Sequence, residues 1–333
     1  MKILVTGATG FVGRKLVSSL ISAGHDVSAL VRTTSNLEGL PKELHLFEGD
    51  MLDEPTLHAA VQGQEVVIHL AAYFDFYPRD KKLLYRVNVD GTQHLLNACV
   101  EASVRRFIYL STTEVIGPVK NPPGTEETEL RPQFHYSKSK MRAEEMVREV
   151  SSDTGLEHVI LRSTGIMGEG DLYTAFEAIE AVNKREIPIL PGDGEKHLMY
   201  VHIDDVVRAI LAAVDLDAPV NQTIILCVDD PMTYNELFEF LGETLGVKPP
   251  RRKIPTFLAK LGIGLLSPYK NRRKTTFLWH VKTIQAMDED RWFSNETAKR
   301  LLNWSPQITM REGIARAINW YYQEGYLEDK HQD

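Results

Sequence analysis

Apolar residues come in short unbroken runs, separated by stretches in which apolar and polar positions alternate at helical spacing. Ile3-Leu4-Val5 leads into glycines at positions 7, 10 and 13, and Leu16, Val17, Leu20 and Ile21 follow as a stripe. This pattern predicts a buried strand, a tight turn and an amphipathic helix. Gly24 suits the helix stop, and a second strand is expected over Val27–Val31. Further strands are expected at Leu44–Phe47, Glu65–Leu70, Phe107–Leu110, Leu156–Leu161 and Thr223–Val228. Glu54–Gln62, Asp80–Glu101 and Tyr136–Ser151 read as helices between them. Residues 118–132 are rich in proline and acids and read as an irregular loop. Strands that are almost wholly apolar and alternate with helices predict a parallel sheet buried on both faces.

The alternation loses its regularity near Gly165. A short helix is expected at Tyr173–Lys184, a Pro/Gly-rich turn at Pro188–Gly194, and a short strand and helix over Met199–Leu216. From Asp229 the chain reads as mostly helical. A length of 333 residues suits two lobes better than one core. The expected class is α/β: a Rossmann-type doubly wound parallel sheet with a smaller, mostly helical C-terminal substrate lobe. Residues 1–165 with 200–228 form the expected nucleotide domain, and residues 166–199 with 229–330 the lobe.

The glycine spacing adds chemistry. Gly7 permits a sharp exit from the strand, Gly10 lets a pyrophosphate approach the backbone, and Gly13 lets the helix pack against the sheet. The free N–H groups and dipole of that helix favour an anion at its start. A dinucleotide is therefore expected on the stretch Gly7, Thr9, Gly10, Phe11, Val12 and Gly13. The second strand ends Ala29-Leu30-Val31-Arg32. An acid there would hold the ribose 2′-hydroxyl of NAD. Arg32 instead suits a 2′-phosphate, with Thr33 or Ser35 in support. NADP(H) is the expected cofactor, with NAD(H) as the alternative.

Tyr136 and Lys140 stand four apart and share one helix face. A tyrosine titrates near ~10 and is a poor proton carrier at neutral pH. An adjacent ammonium is expected to lower that value and make a proton relay.

Composition narrows the class. A net charge of −8 argues against nucleic acid as the main partner. The two cysteines, Cys99 and Cys227, have no metal-ligand spacing and suit free thiols in a reducing compartment, so the cytoplasm is expected. No signal peptide is expected, because residue 3 already begins a strand. Leu258–Leu266 is too short to span a bilayer. It reads either as a helix over a pocket or as a membrane-surface contact.

Taken in order, Thr6 to Gly13, Gly49-Asp50-Met51, His69-Leu70-Ala71-Ala72, Asn88-Val89-Asp90-Gly91-Thr92, Ser111-Thr112, Tyr136-Ser137-Lys138-Ser139-Lys140, Tyr200 to Val206 and Phe293 to Trp304 carry a resemblance. The chain resembles extended short-chain dehydrogenase/reductases of the NAD-dependent epimerase/dehydratase family over essentially its full length. Within that family it is most similar to dihydroflavonol-4-reductase-like and 3β-hydroxysteroid-dehydrogenase-like members. The resemblance implies that Thr112 hydrogen-bonds the substrate oxygen, Tyr136 carries the proton, and Lys140 tunes Tyr136 and holds the nicotinamide ribose. It places Asp50 at the adenine amino group with Met51 beside it, and Leu70, Ala71 and Ala72 along the cofactor cleft. Asn88 would support the site, and Ser163 would border the nicotinamide where many members have proline. Ser111 and Thr113 are alternative hydroxyl donors. Glu114 lies where sugar-nucleotide dehydratases carry an acid, but the Asp that precedes it there is Thr113 here. The resemblance also implies a homodimer through the helices at Asp80–Glu101 and Tyr136–Ser151. Leu83, Leu84, Val87 and Leu95 suit such a face.

The expected activity is NAD(P)-dependent interconversion of a ketone or aldehyde and an alcohol on a small, apolar substrate. A nucleotide-sugar 4-epimerase is the alternative, and a non-catalytic dinucleotide sensor a third reading. A buried sugar diphosphate needs paired cations. Epimerase-like members commonly place an arginine where this chain has Leu198, with Lys196, His197 and Arg291 as possible substitutes. The aromatic run Tyr73, Phe74, Phe76 and Tyr77 favours an oily wall.

Overall fold

The computed structural model describes residues 1–187, 189–216, 221–270 and 280–328. Pro188 of the expected turn, residues 217–220 of the expected nucleotide domain and residues 329–330 of the expected lobe lie outside the described residues.

The first half alternates strands and helices. β1 (Lys2–Thr6), α1 (Phe11–Ser22), β2 (Asp26–Val31), β3 (His45–Glu48), α2 (Glu54–Val61) and β4 (Val66–His69) come first. α3 (Lys81–Tyr85), α4 (Gly91–Glu101), β5 (Arg106–Thr112), α5 (His135–Thr154) and β6 (Glu157–Ser163) follow. The single helix expected over Asp80–Glu101 is divided: a π-helical turn at Arg86–Asp90 joins α3 to α4. That wider turn carries Asn88, whose side chain is committed to neighbouring elements rather than to helix packing.

Beyond β6 the strands shorten. β7 (Gly165–Met167), α6 (Thr174–Asn183), β8 (Ile189–Pro191), β9 (His197–Leu198), β10 (Tyr200–His202) and α7 (Ile203–Val214) lead to β11 (Gln222–Leu226). β12 (Met232–Thr233), α8 (Tyr234–Thr244), β13 (Arg252–Ile254), α9 (Thr256–Lys270), α10 (Val281–Ala286), α11 (Glu296–Leu302) and α12 (Met310–Gln323) complete the described chain. β7 pairs with β10 and β8 with β13 in parallel, whereas β9 and β12 are antiparallel.

Seven strands form one parallel sheet in the order β11-β6-β5-β4-β1-β2-β3. The order reverses at β1, where Thr6 is in register with Leu30 on one side and His69 on the other. Such a reversal opens a crevice at the strands' carboxyl ends. Ile3, Val5 and Ile68 point to one face, where Leu16 of α1 and Ile210 of α7 cover them. Leu4, Val67 and Phe107 point to the other, under Leu57 of α2 and Leu96 of α4. Both faces are therefore dry, which is why these strands read as unbroken apolar runs. A separate core of Met167, Leu198, Phe238, Ile314 and Tyr321 holds the C-terminal helices together. Leu302 and Trp304 pack with the sheet core, and Trp304 Nε1 donates to the Asp205 carbonyl at 2.8 Å.

Candidate active site

The glycine turn separates two demands. Gly7 has φ of +77°, which a side chain resists, and a Cβ there would stand 2.7 Å from Ala71 N. A Cβ on Gly13 would stand 2.1 Å from the Gly7 carbonyl oxygen, so Gly13 is required by packing. Gly10 has ordinary dihedrals, and a Cβ on it would meet only that oxygen, at 3.2 Å. The space it leaves faces the N-terminus of α1, which no side chain caps among the described residues. Those N–H groups and that clearance fit a pyrophosphate. Thr9, Phe11 and Val12 line the same turn. Arg14 donates to the Thr9 carbonyl at 3.1 Å and to the Asn36 carbonyl at 2.7 Å, tying the loop after β2 to the glycine turn. Arg32 stands exposed at the end of β2 with no ion-pair partner among the described residues, and its N–H donates to Ser35 Oγ at 3.0 Å.

The remaining expected cofactor residues gather at the same strand ends. Asp50 Oδ1 accepts from the Leu52 N–H at 2.9 Å, which shapes the turn after β3. Met51 is buried where a Cβ on Gly91 would touch it. Leu70, Ala71 and Ala72 are half-buried directly after β4.

A buried chain of hydrogen bonds runs from β1 to the Tyr136 backbone. Thr92 Oγ1 donates to the Asn88 carbonyl at 2.8 Å, so it accepts from His69 Nε2 at 2.9 Å. His69 Nδ1 then accepts from Thr6 Oγ1 at 2.7 Å. Asn88 Oδ1 accepts from the Tyr73 N–H, and its Nδ2 donates to Tyr73 O and to Ser139 Oγ at 3.0 Å. Ser139 Oγ donates to the Tyr136 carbonyl at 2.7 Å. Burial and the nearby Lys140 charge push the His69 pKa down to about 3, so the ring stays neutral. His69 was missed as a site residue. Its signal is a histidine closing an otherwise apolar strand.

Lys140 is buried, with Nζ donating to the Leu110 carbonyl at 2.6 Å and lying 3.9 Å from the Tyr109 ring centroid. Burial lowers its pKa to about 7. The Tyr136 ring is edge-on to Phe74 and Phe76, with centroids 4.9 and 5.8 Å away. Burial, and then the charge of Glu114, raises the Tyr136 pKa well above its ordinary value. The expected lowering of Tyr136 by Lys140 is thus corrected. Burial and Glu114 set the direction, and the Lys140 nitrogen is committed to Leu110 and Tyr109.

The hydroxyls of β5 divide as well. Ser111 Oγ donates to Glu144 Oε1 at 2.6 Å, and Arg162 and Arg148 hold the same carboxylate. Thr112 Oγ1 only accepts, from the Glu114 N–H at 3.2 Å, which leaves its proton to donate. Ser163 is buried in register with Thr112 and donates to the Ser111 carbonyl at 3.4 Å.

The cations weighed for a diphosphate are already committed. Arg291 Nε donates to Glu114 Oε1 at 2.9 Å, and the guanidinium also reaches Glu289 and Gln133. Lys196 and His197 both meet Asp290. Leu198 faces an apolar cavity of ≈ 90 Å³ that it shares with Met167, Ile179, Tyr234, Phe238 and Ile314. Phe74 links Tyr136 to Tyr173, at the start of α6, with ring centroids 5.5 Å apart, and α6 lines the cavity. Tyr77 hydrogen-bonds Thr283 at 2.9 Å on the cavity wall.

Residues 3–227 match the profile of the NAD dependent epimerase/dehydratase family, and the chain belongs to that family. It is an NAD(P)-dependent enzyme acting on CH–OH groups, of the extended short-chain dehydrogenase/reductase type. A protein of Mycobacterium tuberculosis named 3 beta-hydroxysteroid dehydrogenase/Delta 5-->4-isomerase is 28% identical, over 96% of this chain and 90% of its own length. Sterol demethylase protein B of Methylococcus capsulatus is 28% identical, over 98% of this chain and 100% of its own. Among solved structures, a UDP-glucose 4-epimerase from Thermotoga maritima, crystallised with UDP-glucose, is 25% identical with a TM-score of 0.78, covering 97% of this chain and 99% of that one. None of the described helices is long and apolar enough to cross a membrane.

Proposed function

We propose that the enzyme interconverts an apolar ketone, or aldehyde, and the corresponding alcohol, with NADP(H) as preferred cofactor. The observation that carries this reading is the pairing of Arg291, Lys196 and His197 with carboxylates beside an apolar cavity. A buried diphosphate would have to break those pairs, whereas an apolar ring or chain needs no counter-charge. The sterol-related names of two full-length relatives support the same substrate class. The epimerase likeness supports the alternative, a nucleotide-sugar 4-epimerase.

The cofactor would lie along Gly7, Thr9, Gly10, Phe11, Val12, Gly13, Asp50, Met51 and Leu70–Ala72, with Arg32 at the 2′-phosphate and Asn88 and Ser163 supporting the nicotinamide end. Bound there, it supplies or accepts the hydride. Tyr136 gives its phenolic proton to the carbonyl oxygen during reduction and takes it back during oxidation. Thr112 donates a hydrogen bond to that oxygen. Lys140, buried beside Tyr136, holds the nicotinamide ribose. We also propose a cytoplasmic homodimer through α3, α4 and α5. Leu83 is exposed on α3 and suits such a contact, whereas Leu84 and Leu95 of the expected face are wholly buried in the chain's own core and are corrected as contact residues.

The test is a substrate panel. With NADPH, aromatic, steroid-like and long-chain ketones are expected to turn over, and UDP-sugars to remain unchanged. Epimerisation of a nucleotide sugar, or micromolar binding of one without ketone turnover, would overturn the reading in favour of the alternative. A single ~38 kDa species in light scattering, one chain's mass, would reject the dimer.

A further inference from the structure

Helix α9 presents an apolar face that nothing in the described chain covers. Phe257, Leu258, Leu261 and Leu265 are 68%, 45%, 61% and 75% exposed. At helical spacing they fall within an arc of about 100°. Ala259, on the opposite side, is buried, and the helix rests on α10. Val281 of α10 is 39% exposed and adds to the exposed apolar residues of this helix pair. Single exposed leucines are ordinary, but a continuous apolar face implies a partner.

The charge around it identifies that partner. Residues 251–270 hold five basic residues and no acidic one, in a chain whose net charge is −8. Arg251, Arg252 and Lys253 are all exposed and stand two residues before the helix, in and beside β13. An apolar helical face flanked by cations is complementary to an anionic bilayer surface: the leucines enter the acyl boundary and the cations meet the phosphates. With 15 residues, α9 is too short to span.

We infer that α9 docks the enzyme onto anionic membrane surfaces through Phe257, Leu258, Leu261 and Leu265, with Arg251, Arg252 and Lys253 on the headgroups. The docking stands on these residues alone. Its use in substrate delivery rests on the function proposed above: α10, directly under α9, lines the apolar cavity with Thr283 and Ala286. A substrate dissolved in lipid would then arrive on the side of the chain that carries this cavity.

Vesicle sedimentation of the full chain tests this without any assay of activity. Wild type is expected to pellet with phosphatidylcholine vesicles containing about a third phosphatidylglycerol, weakly with pure phosphatidylcholine, and less at about 0.5 M salt. The double variant Leu261→Ser/Leu265→Ser, at exposed positions, should keep the wild-type Tm and lose roughly tenfold or more in partitioning. Arg251→Ser/Arg252→Ser/Lys253→Ser should lose roughly tenfold on the anionic vesicles alone. Wild type that stays in the supernatant with anionic vesicles would overturn the inference, as would variants that pellet like wild type. A wild-type dimer that the leucine variant makes monomeric, without vesicle binding, would also overturn it and assign the face to a second copy of the chain.

Discussion

Arg291 and Glu114 lie 177 residues apart in sequence and form a 2.9 Å ion pair close enough to Tyr136 for the Glu114 charge to oppose its ionisation. The pair occupies a cation that a diphosphate could otherwise use, and its carboxylate adds to burial in keeping the phenol protonated.

Glu114→Gln should move the Tyr136 ionisation to lower pH, because a negative charge that disfavours phenolate is removed. The pH profile of kcat/KM for alcohol oxidation reads this directly. The limb that requires phenolate is expected to begin at lower pH in the variant. A limb that stays in place or moves up would show that Glu114 does not act on Tyr136.

Tyr136→Phe should fold, keep its cofactor affinity, and lose at least ~100-fold in turnover, the scale of a lost general acid. Its ring contacts with Phe74 and Phe76 need no hydroxyl, so the wall of the site survives. Turnover within about twofold of wild type would remove Tyr136 from the chemistry.

The sheet was legible because each central strand is buried on both faces, so Ile3–Val5, Val66–Ile68 and Phe107–Ile108 had to be apolar throughout. The pairs β8–β13 and β9–β12 were not legible. Two or three residues carry no periodicity, and their partners lie up to 63 residues away. Tyr136 and Lys140 were legible as a pair at helical spacing, and Thr112 was suggested only by the family resemblance. The direction of the Tyr136 shift was not, since it depends on burial and on Glu114. Nor was the chain through His69, because threonine, serine and asparagine hydroxyls and amides give no pattern until the fold brings them together. The commitment of Arg291 was equally hidden. The sequence shows an arginine and a glutamate but not their meeting.

Acid should unfold the protein through its neutral histidines. His69 titrates at about 3 in the folded chain against 6.5 unfolded, so the unfolded state binds the extra proton between those values. Its contribution to stability is complete above pH 6.5 and is lost as pH falls towards 3. The loss is about 1.4 kcal/mol per pH unit within that window. His158, lowered to about 4 by burial and Arg148, adds in the same direction. Urea unfolding at about pH 7, 5.5 and 4.5 should show this decline, and His69→Gln should flatten it. An equally steep decline in the variant would exclude His69 as a source.

Gly10 and Gly13 should fail in different ways. Gly13→Ala drives a Cβ to 2.1 Å from the Gly7 carbonyl and 2.7 Å from Ala8 Cα, so it should lose at least about 2 kcal/mol of stability. Gly10→Ala meets one oxygen at 3.2 Å and should fold with a change under about 1 kcal/mol. On the proposed reading its methyl projects into the space a pyrophosphate would take, so the Kd for cofactor should rise at least about tenfold. Thermal denaturation and cofactor titration on both variants check the contrast. Equal destabilisation of the two, with unchanged affinity in Gly10→Ala, would place the cofactor elsewhere.

On the proposed reading, Arg32 distinguishes the two nicotinamide cofactors. Val31 ends β2 without the acid that would hold a ribose 2′-hydroxyl, and the exposed Arg32 follows beside Ser35. The loop they begin is fixed to the glycine turn by Arg14, so a phosphate on the adenosine ribose would meet a positioned cation rather than a free loop. A charge-assisted hydrogen bond of this kind contributes about 1.5–3 kcal/mol. Arg32→Ala should therefore raise the Kd for NADPH by roughly tenfold or more and leave that for NADH within about twofold, since NADH carries no group for Arg32 to pair. Titration of the intrinsic tryptophan fluorescence with each cofactor measures both. Wild type that binds NADH as tightly as NADPH, or a variant that loses both equally, would mean that Arg32 does not read the 2′ position.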